Sequence, residues 1–357
     1  MRHRAVAAAL LLAAAATIPA GSAAASDWGI QPWTEAVVIV TDLDESAAWL
    51  VEDGGWREVA RGTVSAGEMA YWRLPDSARG AFRKICAPEA ATGCIRYVAL
   101  AGVAQQPVRL AARPWDTGGI FSLMLRSEDT QALFDAAIAR GWWAESQPYR
   151  FAFGGSELVN VVIRGPHGVN YALYQRQSPP FDAFRVGRLS QAFNSMRMVR
   201  DQPAALAFYR DTLGFKVLFD APYTDPEPRP NNFSVPANLA TSLVRRAAVA
   251  QPVLPEETGR VEVMQFEGFS GRDLSAHAVP PNLGIISVRY PVTRLAAYRA
   301  ELERKGTPIA YAAANVSIGG IGPVDLFAVR DPDGNLTEFY AAPQGTAEPQ
   351  NPIGGQE

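Results

Sequence analysis

Cysteine and histidine are scarce in this chain, and where they fall limits the chemistry open to it. Cys86 and Cys94 are the two cysteines, and Pro88 and Gly93 between them mark a turn-rich stretch. The spacing is not that of a CxxC redox pair. In an oxidising compartment it favours a disulfide over a metal clip, with two unpaired buried thiols as the other reading. Closing so short a loop contributes about 2–3 kcal/mol on the loop-entropy account. Of three histidines, His3 belongs to a basic leader, which leaves His167 at a predicted hairpin tip and His277 in a proline-flanked connection. A metal centre built from several imidazoles is therefore poorly supplied. Tyr223 and Phe233 lie in the proline-rich segment 221–236, which reads either as a stiff cavity wall bearing aromatic rings or as a surface excursion.

The elements that must position these residues come from a chain of 357 residues, 48% hydrophobic and 19% charged, too long for one compact domain. Arg2, His3 and Arg4, the apolar run from Ala5 to Ile18 and the small residues Ala23-Ala24-Ala25 read as a signal peptide over 1–25, cleaved after Ala25. The expected location is periplasmic or secreted. No cysteine follows the small residues, which argues against a lipoprotein. Beyond the leader no apolar run approaches the roughly 20 residues that cross a bilayer, so no membrane insertion is expected. The chain after residue 25 carries 31 basic and 36 acidic residues, a balance that argues against nucleic acid or an anionic membrane as its main partner.

One pattern recurs four times: an alternating apolar strand, a polar helix start, an amphipathic helix, a glycine, and further strands. From strand start to glycine the units run Glu35 to Gly55, Ile120 to Gly141, Asn194 to Gly214 and Gly284 to Gly306, at separations of 20, 21, 20 and 22 residues. Asp201 is placed as a helix N-cap, Asp42 and Asp44, Asp129 and Pro291 mark the other helix starts, and the glycines are placed as left-handed helix ends. Tyr97 to Val103 and Val108 to Ala111 read as the later strands of the first unit, and Leu158 to Arg164 and Val169 to Tyr174 as those of the second. Each unit is then βαβββ. A longer period of 166 residues matches Gly165-Pro166-His167-Gly168 and the strand after it to Asp331-Pro332-Asp333-Gly334 and the strand after that. It groups units one and two as a domain over 34–177 and units three and four as a domain over 191–343. A proline-containing linker over 178–190 separates them, and a disordered tail rich in Pro, Gly, Gln and Glu follows over 344–357.

The stretch Met198-Val199-Arg200-Asp201 leading to Phe208-Tyr209-Arg210-Asp211-Thr212-Leu213-Gly214-Phe215, closed by Asp331-Pro332-Asp333-Gly334-Asn335 and Glu338-Phe339, resembles the vicinal oxygen chelate superfamily. Glyoxalase I, bleomycin-resistance proteins, methylmalonyl-CoA epimerase and extradiol dioxygenases belong to it. The resemblance covers about Thr34 to Pro343 and is carried in units one and two mainly by the repeat. It implies an α+β fold of four βαβββ modules arranged as two paired domains, each pair of curved sheets enclosing a cavity. It also implies a divalent metal held on the first and last strands of each module.

Carried over residue by residue, the first-strand positions are Asn194, or Ser195 if a bulge shifts the register, in module three and Gly284 in module four. The last-strand positions are Glu262 and Glu338. In modules one and two Glu35 and Ile120 stand at first-strand positions, and Ala172 replaces the terminal carboxylate. The strong ligands are thus depleted: no cofactor is expected, and a divalent metal is disfavoured. Glu338 and Glu262 are expected on one cavity, as a general base with a raised pKa or as weak metal ligands, with a purely structural role for Glu338 beside an arginine as the alternative. Asn194, Tyr223 and Phe233 are the ligand-binding candidates.

Two functions follow from these expectations. One is an exported protein that binds a small apolar or aromatic molecule in a cavity lacking histidine ligands. The other is a lyase, isomerase or hydrolase that works through Glu338 with Glu262.

Overall fold

The computed structural model describes residues 28–153, 155–180, 186–253, 258–269 and 271–343. The expected signal peptide, the middle of the expected linker and the tail lie outside the described residues.

Module one comprises β1 (Glu35–Val40), α1 (Leu43–Ala48), β2 (Arg57–Thr63), α2 (Ala66–Tyr71), β3 (Arg79–Cys86) and β4 (Cys94–Ala101). Module two comprises β5 (Ile120–Ser127), α3 (Thr130–Ala139), β6 (Trp143–Ala144), β7 (Tyr149–Phe153), β8 (Ser156–Arg164) and β9 (Asn170–Ser178). Module three comprises β10 (Leu189–Met198), α4 (Gln202–Ala207), β11 (Lys216–Tyr223), α5 (Ala237–Ala240), β12 (Arg245–Gln251) and β13 (Arg260–Phe266). Module four comprises β14 (Gly284–Pro291), α6 (Leu295–Arg304), β15 (Ile309–Ile318), β16 (Gly322–Arg330) and β17 (Leu336–Ala341).

Local chemistry sets the ends of these elements. Asp42 accepts from the amides of Asp44 and Glu45, Asp129 from Ala132 and Asp201 from Ala204, which satisfies amides that a helix start would leave bare. At the far ends Gly55, Gly141, Gly214 and Gly306 all take φ between 76° and 81°, a conformation costly for any residue with a Cβ. Cys86 closes β3 and Cys94 opens β4, so their disulfide, with a Cα–Cα distance of 4.4 Å, staples one hairpin. Residues 108–111, read from sequence as a strand, instead belong to the connection into module two. There Arg109 donates to the carbonyls of Gly118 and Asp116, and these turn contacts replace a ladder.

Two sheets result, with the orders β15-β16-β17-β14-β1-β4-β3-β2 and β11-β12-β13-β10-β5-β9-β8-β6, and β7 paired to β8. The first sheet joins modules one and four, and the second joins modules two and three. The expected grouping of 34–177 and 191–343 as self-contained pairs is therefore corrected: each sheet draws one module from each half. The modules meet through their first strands, β1 antiparallel to β14 with Glu35 opposite Arg289, and β10 antiparallel to β5 with Asn194 opposite Met124. The charges supply a physical reason. Glu35 is fully buried and gains a counter-ion from Arg289, whereas the equivalent position on β5 offers only Met124.

One face of each sheet, together with the helices, shares the largest apolar cluster, which includes Trp49, Tyr171, Tyr209, Tyr290, Tyr298 and Phe339. The opposite face of the first sheet packs around Val37, Tyr71, Phe82, Tyr311 and Leu326. The opposite face of the second holds a smaller cluster around Phe121, Met124, Met196, Phe233 and Phe266. The insertions before the third strands differ. In module one, α2 lies on the sheet face and brings Glu68, Met69, Tyr71 and Trp72 into the interior, with the Tyr71 ring 5.6 Å from that of Tyr311. In module three the corresponding insertion is the proline-rich loop ending in α5.

A candidate ligand cavity on the second sheet

The ladders fix which residues occupy equivalent positions. Met196 lies beside Glu262, Met124 beside Ala172, Val37 beside Arg96 and Arg289 beside Glu338. Two residues before the first of each pair stand Asn194, Ser122, Glu35 and Ser287. The sequence registers at Gly284 and Ile120 therefore shift to Ser287 and Ser122. Gly284 merely opens β14, and a side chain there would be strained at its φ of 132°.

In the first sheet these positions are filled from within. Glu338 is buried, accepts from the Ser287 hydroxyl at 2.8 Å and pairs with Arg289 Nε at 2.5 Å. Arg289 also reaches Glu35 and Glu68 at 2.9 Å each, Arg96 pairs with Glu68 at 2.8 Å, and Lys84 with Glu35 at 3.0 Å. Burial alone would raise the Glu35 pKa, but Lys84, Arg289 and Arg96 outweigh it and hold the carboxyl below its ordinary value. With both oxygens of Glu338 engaged, its expected catalytic role is withdrawn in favour of the structural alternative. Glu338 and Glu262 also do not share a space, because they lie on different sheets.

The second sheet encloses a cavity of about 870 Å³. Glu262 and Asn194 lie on its floor, and Tyr223, the last residue of β11, and Phe233, in the loop that follows, on a wall. Asn194 Nδ2 donates to Glu262 Oε2 at 3.1 Å and contacts Met124 Sδ at 3.2 Å, while its buried Oδ1 has no partner. Glu262 is half-buried among methionines and aromatic rings. Burial pushes its pKa up to about 7, against the opposing pull of Asn194 and Arg260. Burial likewise raises Tyr174 and Tyr223, and Tyr149 to about 12, so these phenols remain hydrogen-bond donors at neutral pH.

The residues least foreseen are cationic. Among the described residues, Arg126, Arg176, Arg229, Arg245 and Arg260 line the cavity together with two carboxylates, Asp225 and Glu262. Arg245 pairs with Asp225 at 2.9 Å, and Arg229 reaches the same carboxylate at 3.4 Å. Arg126 stacks over the Phe193 ring at 4.1 Å, with Arg260 at 5.9 Å from it. The available signal was parity: Arg126 is two residues beyond Met124, and Arg260 two before Glu262, so each shares its neighbour's face. Neither histidine lines this cavity. His167 Nε2 meets the amide and hydroxyl of Thr41, bridging modules one and two, and His277 contacts Gln106.

The donor set does not suit the divalent metal implied by the resemblance. Asn194, Ser122, Glu262 and Ala172 supply one carboxylate and no imidazole, and the cavity lining around them is rich in guanidinium. In the first sheet, arginine and lysine already neutralise Glu35 and Glu338. Among the described residues no group of three or more His, Cys, Asp or Glu side chains is placed to hold a metal ion. Neither set fits a transition metal.

Comparison with known proteins agrees with this architecture. Residues 192–339 match the model of the Glyoxalase/Bleomycin resistance protein/Dioxygenase superfamily. Glyoxalase I from Zea mays superposes with a TM-score of 0.55 at 15% identity, covering 87% of this chain and 92% of that one. A single-site mutant of that enzyme gives 0.57 at 16% identity over 89% and 96% of the two chains. A structure from Bacillus subtilis described as that of a proposed dioxygenase gives 0.50 at 11% identity over 88% and 86%. These likenesses establish the fold. No curated protein matches the sequence.

Proposed function

We propose that this member of the vicinal oxygen chelate superfamily, placed there by the match over residues 192–339 and by a fold that continues through both sheets, binds a small molecule with an aromatic or apolar body in the cavity of modules two and three. One observation carries the reading. Equivalent faces of two sheets built from the same module differ, the first plugged by α2 and a charge network, the second open around methionine and aromatic side chains. The volume suits a drug-sized ligand. No resident metal takes part in this reading, and about one equivalent of zinc, manganese or iron in the purified protein would overturn that element of it. To test binding, the neutral fluorophore N-phenyl-1-naphthylamine is titrated into the full chain and into Val249→Trp, which fills the cavity from β12. Saturable binding to the parent and its loss in the variant are expected; equal binding to both refutes the site.

Export is part of the proposal. It is supported by the leader-like residues 1–25 and by the Cys86–Cys94 disulfide, which suits an oxidising compartment. Among the described residues no helix is long and apolar enough to cross a membrane. Intact mass of the exported protein should correspond to a chain starting at Ser26, and retention of residues 1–25 refutes export.

A second reading, proton-transfer catalysis of the isomerase or lyase type, is favoured by one feature. Glu262 titrates near neutrality on the cavity floor, where a carboxylate can take up or return a proton efficiently. If it is the base, Glu262→Gln abolishes turnover of a substrate while leaving its binding within about threefold.

A further inference from the structure

Resting on the cavity reading above, we infer that the ligand carries an uncharged carbonyl oxygen on its aromatic or apolar body, as in a ketone, ester or amide, and that the phenols of Tyr149, Tyr174 and Tyr223 donate to it. The strand register places the first two. Tyr149 on β7 lies opposite Asn160 on β8, and Asn160 opposite Tyr174 on β9, so the three side chains stand in one row on the cavity face of module two. Tyr223 comes from the other module, at the end of β11, the far edge strand of the same sheet. They nonetheless meet around one volume: Glu262, Tyr149 and Tyr223 all act electrostatically on Tyr174, and Glu262 and Tyr149 on Tyr223.

What these phenols lack is an acceptor. The Tyr174 hydroxyl has no hydrogen-bond partner among the described residues, and Tyr223 reaches only the Met264 thioether, at 3.7 Å. Tyr149 accepts from Asn232 Nδ2 at 3.3 Å, which uses an oxygen lone pair and leaves the phenol proton to be given. Of the carboxylates in the lining, Asp225 is held by Arg229 and Arg245, and Glu262 takes its hydrogen bond from Asn194, so neither receives a phenol proton. Two of the rings are pinned in place. The Arg245 guanidinium lies over the Tyr223 ring at 4.5 Å and that of Arg229 over the Tyr149 ring at 4.9 Å. A carbonyl oxygen suits this setting, because its two lone pairs accept from two donors at once while the body behind it stays apolar. An anion suits it less: Glu262 stands beside the same phenols, and a second negative charge there would face it. A ligand without an acceptor would strip water from these hydroxyls and return no partner, which is costly.

The test displaces N-phenyl-1-naphthylamine from the full chain with two planar probes of nearly equal shape, 2-acetylnaphthalene and 2-isopropenylnaphthalene, in which a methylene replaces the carbonyl oxygen. Apolar burial alone favours the alkene, whose methylene costs less to take out of water than a carbonyl oxygen. Phenol donors reverse that order, and the ketone should bind about fivefold more tightly, the effect of one net hydrogen bond. Tyr174→Phe and Tyr223→Phe each delete a hydroxyl that has no strong partner in the free protein. Each should cut the ketone-to-alkene preference by about threefold or more while leaving the alkene within about twofold, and Tyr149→Phe should act in the same direction. A parent protein that does not prefer the ketone, or a preference unchanged in all three variants, overturns the carbonyl inference and leaves the cavity reading standing on the binding of the fluorophore itself. Absence of saturable fluorophore binding overturns the cavity reading and this inference with it. If one variant does not fold, the preference of the parent and the other two variants still decide the matter.

Discussion

Replacing Glu262 by Gln keeps the volume and one acceptor for Asn194 while removing the ionisable proton, so it isolates the cost of a carboxylate on the cavity floor. Burial raises the Glu262 pKa from 4.5 to about 7 in the folded chain. A carboxyl whose folded pKa is raised binds its proton more tightly in the native state. Native stability is then greatest below the unfolded value and falls as pH climbs through the folded one. At about 1.4 kcal/mol per unit, the shift corresponds to about 3 kcal/mol lost between pH 4.5 and pH values above 7. The variant carries no such loss. Urea unfolding of parent and variant at about pH 4.0 and about pH 8.5 should give near-equal stabilities at the lower pH and a Gln variant more stable by about 3 kcal/mol at the higher. Subtracting parent from variant at each pH removes the contributions of every other carboxylate, including Glu35, whose depressed pKa acts in the opposite direction. A difference that stays constant across that pH range would refute the account of a poised carboxyl and remove the support for a proton-transfer role.

The interior charge network of the first sheet gives the second prediction. Arg289→Met takes from Glu338 the cation it pairs with and leaves Glu35 and Glu68 with Lys84 and Arg96 alone, and should cost about 3–5 kcal/mol in urea unfolding, more than the loss of any exposed pair. Because each sheet takes one module from each half, chains covering 28–177 or 188–343 alone should fail to melt cooperatively, and co-expression should recover a folded 1:1 complex by size-exclusion chromatography. Gly93→Ala should destabilise by at least about 2 kcal/mol in the same assay, because Gly93 has φ +65° and an added Cβ would sit 2.2 Å from the Ala192 carbonyl oxygen.

What was legible in the sequence was local. The aspartate caps and positive-φ glycines are dictated by the residues themselves, so the four modules and their helix ends follow from spacing. Strand parity also holds: Leu336, Glu338 and Tyr340 share the inner face of β17, while Phe339 points into the core shared by the two sheets. Partner choice is not local. The 166-residue period says that modules two and four are alike, which is equally true of either grouping into pairs. The clue lay in charge: a fully buried Glu35 needs a cation across the ladder, and Arg289 on β14 offers one. Which cavity stays open was hidden for another reason. It depends on how two insertions of unlike sequence, α2 and the 221–236 loop, lie over their sheets, and Glu68 shows no sign in sequence of reaching Arg96 and Arg289.

The two sheets treat the same problem, acids on an inner face, in opposite ways, and the contrast has a measurable consequence. In the first, Glu35, Glu68 and Glu338 are balanced by Lys84, Arg96 and Arg289, and the interior is closed. In the second, Glu262 has the neutral Asn194 as its hydrogen-bond partner and lies on the floor of an open cavity. A neutral apolar ligand that displaces water from the floor deepens the burial of Glu262 without supplying a charge. Burial raises a carboxyl pKa, here above its value of about 7 in the free protein, so binding at mildly alkaline pH should draw a proton from solvent. Titrating N-phenyl-1-naphthylamine in phosphate and in Tris, whose ionisation enthalpies differ widely, reads the uptake directly as a buffer-dependent heat. The expected uptake is a fraction of a proton per site, vanishing in Glu262→Gln. Heats independent of buffer in the parent protein would mean that the ligand and Glu262 do not sense one another, and would refute the placement of the ligand on the floor.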